Sequence, residues 1–256
     1  LYPQKNLFSH IIGQIDEDNI GISGLEKSLD EQLKNNDTSV QLSVDKDIQF
    51  LVREELLKYN KIFKTIGSTA ILMNVNNGEI ISIVSLPDYD PNQRNTIIDV
   101  NYINRATKGV YELGSVFKTF TLAAALNEKT VEPETEFKNL KKSIKCGRNT
   151  ISEYDKKIPS DLTAEQILIR SGNIGSVRIG QSVGVNNYKK FLNDLNLVNP
   201  INFDIEEMGV PVSFKWGKCK LATVSYGHGI TTTILQLANA YSIIANGGYQ
   251  IDPTLI

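Results

Sequence analysis

Two serine–lysine pairs in this chain have a spacing that chemistry could use: Ser115 with Lys118, and Ser43 with Lys46. Residues three apart share a helix face, so the hydroxyl and the amine of either pair can meet. Serine is a weak nucleophile until a base takes its proton, and a lysine stripped of water can be that base, because burial disfavours its charged form. A third group, Ser171-Gly172-Asn173, adds a hydroxyl able to relay a proton and an amide able to donate and accept. Alone, that tripeptide reads as a turn between helices, where these residue types are common. Beside Ser115 and Lys118 it reads as the second piece of a nucleophilic site.

The surrounding elements separate the two pairs. Val40, Leu42 and Val44 alternate with polar residues as in a half-buried strand, which turns Ser43 outward and leaves Lys46 at a helix start. Asp45 or Asp47 caps that helix, and Ile48, Leu51, Val52 and Leu56 form its apolar stripe. Ser43 is therefore read as structural. Gly114, by contrast, delivers the chain to Ser115, and the good helix formers beyond Lys118 carry a helix to about Asn127. Downstream, Thr163 caps a helix over residues 164–170 that stops at Ser171-Gly172-Asn173, and helix resumes from Ile174 to Val183.

The remaining chain gives the following pattern. Phe8–Ile15 reads as a short strand, and Leu25, Leu29 and Leu33 recur every four residues as on a helix. Asn35–Thr38 is a polar turn and the expected domain boundary. Runs 68–74 and 79–85 flank Asn76-Asn77-Gly78, whose residues tolerate positive φ, and predict a hairpin. The long polar stretch after Asn127 is read as loop, 187–195 as a short helix and 221–226 as extended. Thr231 to Thr233 cap a helix reaching Ala245, with Leu235, Leu237, Ala238, Tyr241 and Ile244 on its buried side. Two strands followed by mostly helix make the fold class α+β.

Bulk properties narrow the function. A net charge of −2 gives no electrostatic case for binding nucleic acid. With two histidines, His10 and His228, no histidine-rich metal site is expected, and no cofactor is implied. Cys146 and Cys219 form no close pair in sequence; pairing requires Cα atoms within about 7 Å, so the sequence favours free thiols over a disulfide. No apolar run approaches the ~20 residues of a membrane span, and no charged-then-apolar leader opens the chain.

Gly21-Ile22-Ser23-Gly24-Leu25-Glu26-Lys27, Leu42-Ser43-Val44-Asp45, Asn77-Gly78-Glu79, Asn104-Arg105-Ala106-Thr107, Tyr111 through Lys118 and Ala222 through Gly229 together resemble the class B penicillin-binding proteins, serine transpeptidases of bacterial cell-wall peptides. The likeness leans towards the septal, cell-division type. It implies an antiparallel sheet packed with helices, with residues 1–38 as a remnant of an N-terminal pedestal or dimerisation domain and 39–256 as a partial transpeptidase domain. Ser115 would attack the penultimate D-alanine carbonyl of a peptidoglycan stem peptide on a lipid II-derived strand. Lys118 would accept its proton, Ser171 would pass it on, and Asn173 would orient the substrate amide. β-Lactam antibiotics would acylate Ser115, and division proteins of the membrane would be partners. The setting would be the periplasmic face of the bacterial inner membrane, with the anchor outside this chain.

The resemblance also implies a third motif, Lys-Thr-Gly or Lys-Ser-Gly, on a strand beyond Gly247-Gly248. No such tripeptide occurs here. Residues 1–256 are therefore expected to come from a larger protein, incomplete at both ends, and to be inactive alone, since one lost oxyanion donor already costs ~10²–10³ in rate. A serine β-lactamase or β-lactam sensor shares Ser-x-x-Lys but lacks the leading segment around Leu25. A non-catalytic division scaffold would have no reason to keep Ser115, Lys118, Ser171 and Asn173 together.

Overall fold

The Asn76-Asn77-Gly78 turn closes an antiparallel hairpin, Ser68–Met73 against Ile80–Leu86, in register from Ser68–Leu86 to Met73–Ile80 with one irregularity after Leu72. Asparagine side chains build the turn: Asn74 Oδ1 accepts from the Asn76 N–H, and Asn77 Oδ1 from the Glu79 N–H. The computed structural model in which this hairpin lies describes residues 1–35 and 39–256, and its backbone divides into two units. The expected boundary turn falls at residues 36–38, outside the described residues.

The first unit comprises Leu1–Tyr111, Asn199–Val210 and Thr233–Ile256. Against its hairpin packs the helix Lys46–Phe63, started by Asp45, whose carboxylate accepts from the Asp47 and Ile48 N–H groups. Gln49 is buried on this helix and completes the sheet edge, receiving the Ile83 N–H and the Ser82 hydroxyl on Oε1 and donating Nε2 to the Ile83 carbonyl. The helix Ile234–Ala245 packs on the other hairpin strand, and its N-terminus carries a capping box between Thr233 and Gln236. Ile11, Leu25, Ile80, Ile83, Ala106, Ile205, Leu235 and Leu255 form the core. Burial of each larger side chain contributes about 1.5–3 kcal/mol.

Several expectations are corrected in this unit. Phe8–Ile15 is a 3-10 turn, Lys5–Phe8, then a short helix, Ser9–Ile12, and only Gln14–Ile15 is strand, paired antiparallel with Gly21–Ser23. The Leu25–Leu33 periodicity spans two helices, Gly24–Ser28 and Asp30–Asn35, interrupted at Leu29. Residues 40–44 form no strand, because their ladder is too sparse: Ser43 N–H donates to Leu255 O and Asp45 N–H to Ile81 O. Leu51 is exposed rather than part of the buried stripe. In the last helix Gln236, Asn239, Ala240, Ser242 and Ile243 are buried with Leu235, whereas Leu237, Ala238, Tyr241 and Ile244 are only half-buried.

The second unit comprises Glu112–Val198 and Pro211–Thr232. Its centre is the helix Lys118–Asn127 packed on the helix Asn173–Val183, with Phe120, Ala124, Ala125, Val177 and Ile179 buried. Thr163 caps the helix Ala164–Ile169 through a capping box with Gln166. The stretch expected to be loop holds two antiparallel pairs, Glu136–Phe137 with Leu162–Thr163 and Ser143–Cys146 with Asn149–Ser152. Where 221–226 was expected to be extended, Lys220–Val224 form a short helix, and the helix expected at 187–195 runs Val185–Asp194. Cys146 and Cys219 form a disulfide, their Cα atoms 5.6 Å apart. The expectation of free thiols is corrected because the hairpin brings together residues 73 apart in sequence.

Candidate active site

The turn that carries Ser115 depends on two glycines. Gly114 has φ +57°, a left-handed conformation that costs other residues about 1 kcal/mol or more. Gly227, at φ +83°, lies so close behind it that a Cβ there would fall 1.9 Å from the Gly114 carbonyl oxygen. This contact explains why the Tyr226-Gly227-His228-Gly229 segment matters to a serine more than a hundred residues earlier. Below the turn, Phe117 and Phe120 are buried with ring centroids 5.3 Å apart and anchor it within the second unit. Residues 114–117 form one 3-10 turn that continues as the helix Lys118–Asn127.

Ser115 and Lys118 stand in opposite environments. Ser115 is exposed, and its hydroxyl makes no hydrogen bond among the described residues. Lys118 is 2% exposed, and burial pulls its ammonium down to about 8, against a weaker opposing pull from Glu153. Its Nζ donates to the Ser171 carbonyl at 2.5 Å, to Ser171 Oγ at 3.0 Å and to Asn173 Oδ1 at 2.7 Å. The expected direct Ser115–Lys118 hydrogen bond is absent, and the amine is bonded to the Ser171–Asn173 turn instead.

Ser171 reaches Lys118 because its backbone is left-handed, φ +51°, an uncommon conformation for a residue with a side chain. Its carbonyl and hydroxyl thereby face the amine together. Asn173 opens the helix Asn173–Val183 and is held at both ends of its amide, accepting from Lys118 and donating Nδ2 to the Ser152 carbonyl at 2.8 Å. The amide retains a second N–H and a second lone pair.

Ser43 has partners of its own in the first unit. Its hydroxyl donates to the Ile80 and Thr254 carbonyls, and Lys46 is exposed beside Asp47. Conversely, Glu153 was not legible as a site residue. Its carboxylate accepts from the Asn173 N–H at 2.7 Å and the Ile174 N–H at 2.9 Å. The signal that could have found it is Gly172, which has no side chain with which to cap the helix that follows. On the rim of the turn, Glu112 faces His228 at 3.1 Å. Lys220 lies over the Phe214 ring, 3.7 Å from its centroid, and donates to the Gly229 carbonyl.

Comparison with known proteins places this geometry. Residues 68–256 match the model of the penicillin binding protein transpeptidase domain. A probable peptidoglycan D,D-transpeptidase FtsI of Caulobacter vibrioides is 31% identical over 253 residues, covering 97% of this chain and 43% of that protein. A probable peptidoglycan D,D-transpeptidase PenA of Neisseria meningitidis is 27% identical, covering 96% of this chain and 47% of the relative. The chain thus spans less than half the length of these curated relatives. Among solved structures, ligand-free penicillin binding protein 3 of Mycobacterium tuberculosis superposes with a TM-score of 0.91 at 25% identity, over 100% of this chain and 60% of that one. With the family model covering most of its length, the chain belongs to the penicillin-binding protein transpeptidase family.

Proposed function

We propose that this chain is the catalytic part of a serine D,D-transpeptidase that cross-links peptidoglycan stem peptides during cell division. The observation that carries the reading is the buried Lys118 amine, bonded to Ser171 and Asn173 one helical turn from an exposed Ser115. Ser115 Oγ attacks the penultimate D-alanine carbonyl and forms an acyl-enzyme, while neutral Lys118 accepts the hydroxyl proton. Ser171 Oγ, already on the Lys118 amine, passes a proton to the departing D-alanine nitrogen. The free N–H of the Asn173 amide orients the substrate, and the Ser115 N–H provides one oxyanion donor. The amine of a neighbouring strand then displaces Ser115 from the acyl carbon. A β-lactam acylates the same oxygen and leaves slowly, a reading supported by the ampicillin complex of the mycobacterial structural relative.

Strand Ser68–Met73 pairs only with Ile80–Leu86 among the described residues, and near it Phe63 and Ile66 are largely exposed. These features support further strands, bearing a Lys-Thr-Gly or Lys-Ser-Gly motif, packed here in a longer protein. We read residues 1–38 as the remnant of a pedestal domain and 39–256 as a partial transpeptidase domain; the family match from 68 to 256 lies wholly within the second. No helix among the described residues is long and apolar enough to cross a membrane, and an anchor is assigned to the longer protein. The Cys146–Cys219 disulfide supports an oxidising compartment, the periplasm, where stem peptides and membrane-bound division partners lie.

The test is turnover. A full-length protein carrying this chain should release D-alanine from a stem pentapeptide and join it to an acceptor amine, while hydrolysing penicillin slowly. Rapid penicillin hydrolysis would favour a β-lactamase, and no turnover at all would favour a scaffold.

A further inference from the structure

The helix Asn173–Val183 begins without a cap of its own. Gly172, the residue before it, has no side chain, and the first turn contains no acid. The first N–H groups of a helix need partners, and here the chain segment Ser152–Glu153 supplies them from twenty residues upstream. Glu153 accepts from the Asn173 and Ile174 N–H groups at 2.7 and 2.9 Å, and the adjoining Ser152 carbonyl takes the Asn173 side-chain amide at 2.8 Å. Both residues sit at the end of the Ser143–Cys146/Asn149–Ser152 hairpin, and the Glu153 N–H is itself tied to the Lys142 carbonyl. The left-handed Ser171, whose carbonyl and hydroxyl meet Lys118, lies immediately before this grip.

We propose that Glu153 is a positioning residue of the Ser115–Lys118 site: its carboxylate clamps the start of the Asn173 helix and so fixes the turn that holds the Lys118 amine. The proposal rests on the transpeptidase reading above. An acid, rather than any capping group, has a second effect here. Ser171 and Asn173, the other side chains on Lys118, are neutral, and Glu153 is the charged group acting on it, favouring the ammonium against the burial that disfavours it. Glu153 thus sets both the place of the amine and how readily it gives up its proton.

The experiment uses the full-length protein and a fluorescent penicillin, with acylation rates from pH 5 to 10 for wild type, Glu153→Gln and Glu153→Asp. In parallel, the Lys118 titration is followed by NMR on ¹³Cε-lysine protein, assigned with Lys118→Arg. Glu153→Gln should lower the high-pH plateau about tenfold or more, the scale of a misplaced reacting group. It should also move the acid limb and the Lys118 titration about one unit lower, the scale of a lost neighbouring charge. Glu153→Asp keeps the charge, so its limb should stay near wild type while its plateau recovers only in part. An unchanged plateau and an unmoved Lys118 titration in Glu153→Gln would overturn the proposal. A lowered plateau with an unmoved titration would overturn it too, leaving a helix cap and nothing more. If Glu153→Gln fails to fold, the Glu153→Asp profile decides, wild-type limb with reduced plateau being the supporting result and a fully wild-type profile the opposing one. Should wild type take no label at Ser115, the transpeptidase reading fails, and the NMR titration still tests Glu153.

Discussion

Breaking the Cys146–Cys219 bond should destabilise the second unit by about 4 kcal/mol. The bond joins residues 73 apart in sequence. Closing a loop of that size in the unfolded chain costs roughly 15 cal/mol/K, or about 4.4 kcal/mol at 25 °C on the chain-entropy account. The chain's one tryptophan gives a local probe. Trp216 lies three residues from Cys219, its ring against Phe214 at 5.3 Å and Tyr188 at 6.4 Å, all in the same unit. Guanidinium unfolding followed by Trp216 fluorescence should show the Cys146→Ser/Cys219→Ser variant losing its structure about 1 M below the oxidised protein, from the usual slopes for a unit of this size. Reductant should lower the wild-type midpoint equally and leave the variant untouched. A shift below a quarter of that value would refute the reasoning, because it would mean that the bond does not act through the loop-closure entropy of the unfolded chain.

Other consequences follow from single contacts. Because burial brings Lys118 to about 8, about one tenth of it is neutral at pH 7, against about one in 3,000 for an ordinary lysine. Acylation of the full-length protein should therefore rise about tenfold per pH unit below 8 and level off above it; a half-point near 10.5 would show an unburied base. Gly227→Ala should nearly abolish acylation, since its Cβ would meet the Gly114 carbonyl at 1.9 Å. Gly114→Ala, with open space around its Cβ but φ +57°, should cost only about 1–2 kcal/mol of stability by thermal unfolding. Thr163→Ala should remove the capping box of its helix and cost about 1 kcal/mol, and an unchanged melting temperature would show that the cap contributes nothing.

What the sequence could show depended on how local each cause was. The Asn76-Asn77-Gly78 hairpin, the Asp45 and Thr163 caps and the helix through Asn127 rest on neighbouring residues, and their patterns were readable. Ser115 and Lys118 were found by spacing, and Gly114 by its place before the serine. Their relation was not: the amine points to Ser171 and Asn173, because those residues reach it only after two distant helices pack. Glu153 lay unseen for the same reason, its partners being backbone groups of another element. The Cys146–Cys219 bond needed a hairpin that the polar stretch after Asn127 concealed. Residues 221–226 read as extended chain, whereas Lys220–Val224 form a short helix with Ala222 and Val224 both buried.

Ser115 is the residue proposed to be acylated. The direct measurement is to incubate the full-length protein with a fluorescent penicillin, digest it and locate the adduct by mass spectrometry. One adduct, on the peptide containing Ser115 and lost in Ser115→Ala, is the predicted result. An adduct on another residue, or labelling that survives Ser115→Ala, would contradict it.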